Sequence, residues 1–219
     1  MATSAANFAG MGRSPRTNLG GHVYHVLNRA NARSRIFEND SDYAAFESVL
    51  EEATRRFQVR LLSYCVMPNH WHLVVYPRND GDLSRLTGWL TLTHTQRWHT
   101  CHGSTGTGHL YQGRFKSFAA QSDEHLLAVC RYVERNPLRA GLVRRTEQWR
   151  WNSLWRREYG AVEPQSVLSD WPVSRPTDWL RRVNVAETAG ELAAIRVAVA
   201  RGLPFGDAKW RRSVVERLR

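Results

Sequence analysis

Met67-Pro68-Asn69-His70-Trp71-His72-Leu73-Val74-Val75 is the stretch around which the chain is organised. The apolar run Leu61-Leu62-Ser63-Tyr64-Cys65-Val66 precedes it, and apolar residues continue to Tyr76. Pro68-Asn69 between two short apolar runs predicts a tight turn, so Val59–Val66 and His70–Tyr76 are expected as a hairpin of buried strands. Side chains two apart on a strand share a face. His70 and His72 therefore project together, and Trp71 points the other way. Two neutral imidazoles side by side can hold one divalent cation. The competing reading is a pair of hydrogen-bonded histidines lining a cleft.

Outward from this hairpin, strands and helices alternate. His22–Asn28 reads as a first strand, with His25 facing either the histidine pair or the core. Between Asp40 and Phe57, Tyr43, Phe46, Val49, Leu50 and Ala53 recur at helical spacing, and Asp40 or Ser41 is expected as the N-cap. Gly81-Asp82 opens a second helix, Leu83 to about His99, with Leu86, Leu90 and Trp98 on one side. The glycine-rich run 103–108 lacks the Lys-Ser/Thr ending of a nucleotide loop and reads as a connector. Leu110–Ala119 is expected as a fourth strand with Arg114 and Lys116 on one face, and Asp123–Arg135 as a helix.

That order predicts an α+β fold: a ferredoxin-like split βαβ sandwich with a central antiparallel sheet. The histidine pair would lie on a central strand. Helices would cover one face of the sheet and leave the other for a ligand. Residues 1–18 read as a flexible tail and 19–144 as the main domain. Residues 145–219 read as a basic, tryptophan-rich helical extension. In it Trp149, Trp151, Trp155, Trp171 and Trp179 stand among arginines, and Pro164, Pro172 and Pro176 interrupt the middle. Helices are expected at 186–201 and 207–219. There are no internal repeats.

A chain of 219 residues with 42% hydrophobic content can bury a sizeable core. Its net charge of +11 and pI near 10.4 are the footprint of a protein that binds a polyanion. Nine tryptophans and seven tyrosines interleaved with arginine suit stacking on unpaired bases. Cys65, Cys101 and Cys130 are odd in number and lack metal-finger spacing, so reduced thiols in a cytosolic compartment are expected. No apolar run approaches the roughly 20 residues that span a bilayer, and no secretory-type apolar core opens the chain. No membrane partner is expected.

A second stretch supplies chemistry: Cys130-Arg131-Tyr132-Val133-Glu134-Arg135-Asn136-Pro137. Tyr132 and Asn136 are four apart and share a helical face. Pro137 is expected to end the helix at Asn136. Taken alone, this is a core ring above a C-terminal cap.

The two stretches together resemble the HUH single-tyrosine transposases, whose motif is histidine–hydrophobic–histidine. Tyr111-Gln112-Gly113-Arg114-Phe115-Lys116-Ser117 and Tyr132 to Val143 resemble later blocks of that family. So do Tyr24-His25-Val26-Leu27-Asn28-Arg29, Ile36-Phe37 and Asp42-Tyr43. More narrowly, Tyr24 to Trp155 is similar to the REP-associated tyrosine transposases. Arg201–Asp207 resembles a C-terminal block of theirs less well, with Leu203 where arginine is expected.

The resemblance implies a metal-dependent single-stranded DNA endonuclease and strand transferase. Tyr132 would be the nucleophile and would form a 5′-phosphotyrosine. His70, His72 and Asn136 would hold Mg²⁺ or Mn²⁺, with positions left for water and phosphate. A phenol's ordinary pKa is ~10, so the metal or a nearby cation would have to help form the phenolate. Arg114, Lys116, Arg131, Arg135 and Arg139 are candidate DNA contacts. The expected partner is single-stranded or hairpin DNA with palindromic repeats, bound by a monomer or homodimer in the prokaryotic cytoplasm, at the nucleoid. Two other readings compete: a DNA-binding regulator without catalysis, and an unrelated metal-dependent hydrolase, for which no third ligand is evident.

Overall fold

The computed structural model describes residues 18–160 and 167–217. The expected tail therefore lies outside the described residues except for Asn18, which is buried and donates from Nδ2 to Ser84 Oγ at 2.7 Å. Strand β1 (Val23–Arg29) is followed by helix α1 (Asp40–Phe57), the hairpin β2 (Arg60–Met67) and β3 (His70–Tyr76), helix α2 (Asp82–Cys101) and β4 (Lys116–Ala120). The sheet is antiparallel throughout, in the order β2-β3-β1-β4. This is the ferredoxin-like α+β arrangement that the alternation of elements predicts.

Pleat parity sorts the sheet's side chains. Tyr24, Val26, Tyr64, Val66, Trp71, Leu73, Val75 and Ala119 pack in one interior with residues of α1 and α2. His25, Leu27 and Arg29 on β1 share the opposite face with His70, His72 and Val74 on β3, because partners in register point the same way. That second face is not left open, contrary to expectation. Helix α3 (Glu124–Glu134) crosses it, and α6 (Trp179–Asn184) and α7 (Ala189–Arg201) pack beside α3. Burial on both faces explains why Leu61–Val66 and Leu73–Tyr76 read as continuous apolar runs. A β-bulge between Leu61 and Ser63 reconciles β2 with the two interiors. Leu61 joins the α1/α2 side and Leu62 the α3 side, after which Tyr64 and Val66 alternate with Cys65 and Met67.

Several boundaries differ from the sequence expectation for local reasons. Asn39, not Asp40 or Ser41, caps α1: its side chain accepts from Ser41 N and Asp42 N, while the Asp42 carboxylate accepts from Asn39 N. β4 begins at Lys116 rather than Leu110. Upstream of it only an isolated bridge between Ala30 and Tyr111 forms, and Gly113 takes φ +157°, which only glycine adopts easily. Arg114 is thus on a loop, not on the strand face of Lys116. Pro137 does not end the helical path. Arg135 stays in the right-handed region and α4 (Asn136–Arg139) follows, with Pro137 in its first turn, where a missing N–H costs nothing.

The C-terminal part is built onto the sheet. Besides α6 and α7 it contains α5 (Ser153–Tyr159) and α8 (Ala208–Arg217), and the expected helix 207–219 ends outside the described residues. The buried Glu134 carboxylate accepts from Ser153 Oγ at 2.6 Å, Trp179 Nε1 at 2.8 Å and Ser63 Oγ at 3.3 Å, joining α3 to β2, α5 and α6. Phe205 extends the sheet edge: its N donates to Ala119 O at 2.8 Å and its O accepts from Gln121 N at 2.9 Å. Gly202 caps α7 at φ +68°, and a Cβ there would lie 3.4 Å from Ser117 O, so the end of α7 sits directly on β4. All three cysteines are free, with Cys65 and Cys130 buried and Cys101 exposed. Among the described residues no helix is long and apolar enough to cross a membrane.

Candidate active site on the covered sheet face

Three imidazoles meet where α3 crosses the sheet. His25 of β1 and His72 of β3 have ring centroids 5.1 Å apart, with His25 Nε2 2.8 Å from His72 Nδ1. His70 follows at 5.0 Å from His72, centroid to centroid, and its Nδ1 lies 2.6 Å from Asn69 Oδ1. Strand alternation and the β1/β3 register together produce this convergence. Burial drives His25 and His70 down to about 3, and the Arg29 charge adds to the effect on His70. His72 is held well below the ordinary imidazole value by burial and by its two histidine neighbours. All three are neutral at pH 7, the state in which imidazole ligates metals.

Tyr132 descends onto this cluster from α3. Its ring lies edge-on to His72 at 5.9 Å and to His25 at 6.1 Å, centroid to centroid. The phenol and the imidazoles of two distant elements therefore share one site. Above the ring, the Arg139 guanidinium carbon stands 4.2 Å from its centroid, and Arg139 Nη2 donates to Tyr132 O at 3.1 Å. Arg139 is held in turn by Glu187 Oε1 at 2.9 Å, and the other oxygen of Glu187 takes Arg135 at 3.1 Å. Arg131 pairs more loosely with Glu191 at 3.4 Å. The charges of Arg131, Arg135 and Arg139 are thus engaged by carboxylates of the C-terminal part. Asn136 is buried one turn beyond Tyr132.

Tyr132 also opens onto a cleft of about 680 Å³. Arg29, Arg114, Lys116, Arg196 and Arg201 line it, and no acidic residue does among the described residues. Arg114 and Lys116 meet here despite lying on a loop and a strand. Arg29 was legible in principle, because strand parity places it on the same face as His25, opposite His70. Nothing local in the sequence points to Arg196 or Arg201, which arrive through the docking of α7. Asn69, Glu187 and the role of Arg139 as a cover for the ring likewise require the assembled fold.

Could a divalent cation fit? Among the described residues no group of three or more His, Cys, Asp and Glu side chains could hold one. The donor set is two neutral imidazoles, with Asn136 four residues from Tyr132 on the chain. Asn69 Oδ1 accepts the Nδ1–H of His70, leaving the His70 Nε2 lone pair available, a common outer-sphere arrangement for a ligating histidine. His72 can do the same if its Nδ1–H is donated to His25. The residues fit an open site that leaves positions for water and phosphate, and imidazole donors favour Mn²⁺ over Mg²⁺.

A family model described as "Transposase IS200 like" matches residues 19–136, more than half of the chain. The chain belongs to this family. Membership places it among transposases, proteins that act on DNA. The matched segment runs from Leu19, shortly before β1, to Asn136 and so contains His25, His70, His72 and Tyr132, but not α5 to α8. A candidate REP-associated tyrosine transposase of Haemophilus influenzae is 21% identical over 134 residues, covering 58% of this chain and 74% of the relative. A solved structure of a REP-associated tyrosine transposase bound to a REP hairpin superposes with a TM-score of 0.57 at 18% identity. It covers 82% of this chain and 96% of that one, and it shows that the fold is shared.

Proposed function

We propose that this IS200-like chain is a REP-associated type of transposase that nicks and rejoins single-stranded DNA next to a palindromic hairpin. The observation that carries the reading is the approach of the Tyr132 ring, which also lines a cleft whose charged residues are cations, to the His25–His72 pair. The Haemophilus relative and the hairpin-bound structure of the same fold support the choice of branch and target.

In this reading the Tyr132 hydroxyl oxygen attacks a backbone phosphorus in line and loses its proton. The P–O3′ bond breaks, and the departing 3′ oxygen takes up a proton to leave a free hydroxyl. The product is a 5′-phosphotyrosine adduct. A 3′-hydroxyl later attacks the adduct, so the bond energy is retained and no nucleotide cofactor is consumed. His70, His72 and Asn136 would hold Mn²⁺ or Mg²⁺, which when bound offsets charge on the scissile phosphate. Packed beneath the histidine-bearing sheet face, α3 fixes where the phenol stands, and Arg139 restricts its ring to one orientation. Cations of the cleft attract the strand and neutralise its flanking phosphates.

The test uses labelled hairpin DNA with an unpaired flank, incubated with the protein and Mn²⁺ or Mg²⁺ and run on a denaturing gel. A covalent adduct is expected from the parent, with none from Tyr132→Phe and none in EDTA. An adduct surviving Tyr132→Phe, or none from the parent, overturns the proposal. The second result would leave a DNA-binding protein without this chemistry.

A further inference from the structure

The geometry points to the C-terminal part of the chain as the second wall of a binding cleft for unpaired DNA. In this arrangement Arg196 and Arg201 of α7 grip the phosphodiester backbone opposite Arg114 and Lys116. The inference rests on the reading of the cleft beside Tyr132 as the place where the strand lies.

Four observations carry it. First, cations elsewhere near α3 are neutralised: Arg131, Arg135 and Arg139 all have carboxylate partners. The five cations of the cleft have none among the described residues. Gathering five unpaired positive charges around one cavity is unfavourable unless an anion fills it. Second, the cavity joins two parts of the chain. Arg29, Arg114 and Lys116 come from the segment that the family model covers, while Arg196 and Arg201 come from beyond its end at residue 136. Third, the wall is fixed. The Gly202 cap rests on Ser117 O, Phe205 pairs with the β4 edge, and Asp207 N donates to Gln121 Oε1 at 2.8 Å. Fourth, Arg196 lies close enough to Arg139, the residue over the Tyr132 ring, for its charge to disfavour a second cation there. The wall therefore stands next to the phenol and not at a remote surface.

The dimensions choose the ligand. A cleft of about 680 Å³ is of the size that encloses a small organic molecule. It admits a short run of single strand among its cations, and it is too small for a duplex. Sequence is not read by such a wall, since phosphate contacts position a strand without specifying it.

The test is equilibrium binding by fluorescence anisotropy across a sodium chloride series, with full-length protein and three probes. These are an unpaired oligonucleotide, a hairpin with an unpaired flank, and a blunt duplex. Arg196 and Arg201 are exposed and unpartnered, so Arg196→Ala/Arg201→Ala is expected to melt with the parent. For the unpaired probe the slope of log K against log salt should shrink by about 1.4, since each single-strand phosphate contact contributes about 0.7. Affinity at 0.1 M salt should fall roughly 10- to 30-fold. Blunt-duplex binding should not change. Arg211→Ala/Arg212→Ala on α8, away from the cleft, removes the same charge and should leave the slope near the parent's. An unchanged slope in the α7 variant, an equal loss in the α8 variant, or an equal loss on duplex each overturns the inference. The adduct assay is run in parallel. Loss of slope with no adduct from the parent supports the wall while removing the nicking reading, and an adduct with no loss of slope does the reverse.

Discussion

His94 offers a perturbation whose size follows from its surroundings. It lies in α2, 2% exposed, with its ring 5.4 Å from that of Phe37 and 5.1 Å from that of Phe46. The Trp71 indole donates to Tyr111 Oη at 2.9 Å, and Tyr111 Oη lies 2.8 Å from His94 Nδ1, so the hydroxyl donates onward to that nitrogen. A proton on Nδ1 would break the chain of bonds that anchors Tyr111, the residue just before the cleft loop. Burial is the main cause that lowers His94 to about 3; the Asp42 charge opposes it and His102 assists it. The unfolded chain takes up a proton below about pH 6.5, which the folded chain refuses until about pH 3. Stability from this group is therefore complete above 6.5 and declines as pH falls toward 3. At pH 5 the gap of roughly 1.5 units corresponds to about 2 kcal/mol. Gln can still accept from Tyr111 and cannot titrate, so His94→Gln should lose about 2 kcal/mol less than the parent between pH 8 and pH 5. That difference equals roughly 4–8 °C in Tm for a chain of this size. Urea unfolding in EDTA at the two pH values measures it, and His25 and His70 contribute equally to both proteins and cancel. Parallel loss of stability in parent and variant would refute the reasoning.

Three further outcomes are expected. Glu134→Ala strands the donors of Ser63, Ser153 and Trp179 and should cost about 3 kcal/mol or more, whereas Glu134→Gln keeps an acceptor and should cost less than half of that; equal shifts in denaturant midpoint would contradict this. If His72 ligates through Nε2, its Nδ1–H must be donated to His25, so His25→Phe should weaken Mn²⁺ binding about 10-fold or more and His25→Gln much less. Titration followed by Mn²⁺ electron paramagnetic resonance reads this without any turnover, and identical affinities would refute it. A disulfide reagent should modify Cys101 quickly in the folded chain and leave Cys65 and Cys130 untouched, since burial pushes both of those thiols far up; three equally fast thiols would contradict the fold.

What could be read from the residues is what local periodicity controls. The Pro68-Asn69 turn and an alternation of two sufficed to put His70 and His72 on one face and Trp71 in the opposite interior. Helix α1 was equally plain, because five apolar residues recur at its spacing. Its cap was misplaced by one or two residues, since Asn39, Asp40 and Ser41 all suit a cap and only the reciprocal bond from Asp42 decides among them. Helices α5 and α6 escaped notice because seven and six residues are too few for a periodic signal. Each is held by a distant contact, such as Trp179 to Glu134, which no window of sequence contains. The same limit hid the covering of the second sheet face. It also hid the clip of Glu187 on Arg135 and Arg139, 52 and 48 residues away.

The extra residue in β2 has a consequence for how this strand can change. Because Leu62 is accommodated without a partner, Val59-Arg60-Leu61 and the residues from Ser63 onward are half a turn out of step. Excising Leu62 would leave Leu61 opposite Val75 and Ser63 opposite Val74 and restore strict alternation, with Leu61 and Tyr64 on the α1/α2 side and Ser63 and Cys65 on the α3 side. A single-codon deletion here would therefore take one side chain from the α3 interior and keep every other residue on its own face, whereas losing Tyr64, Cys65 or Val66 would put the two parts of the strand out of step and disturb both interiors.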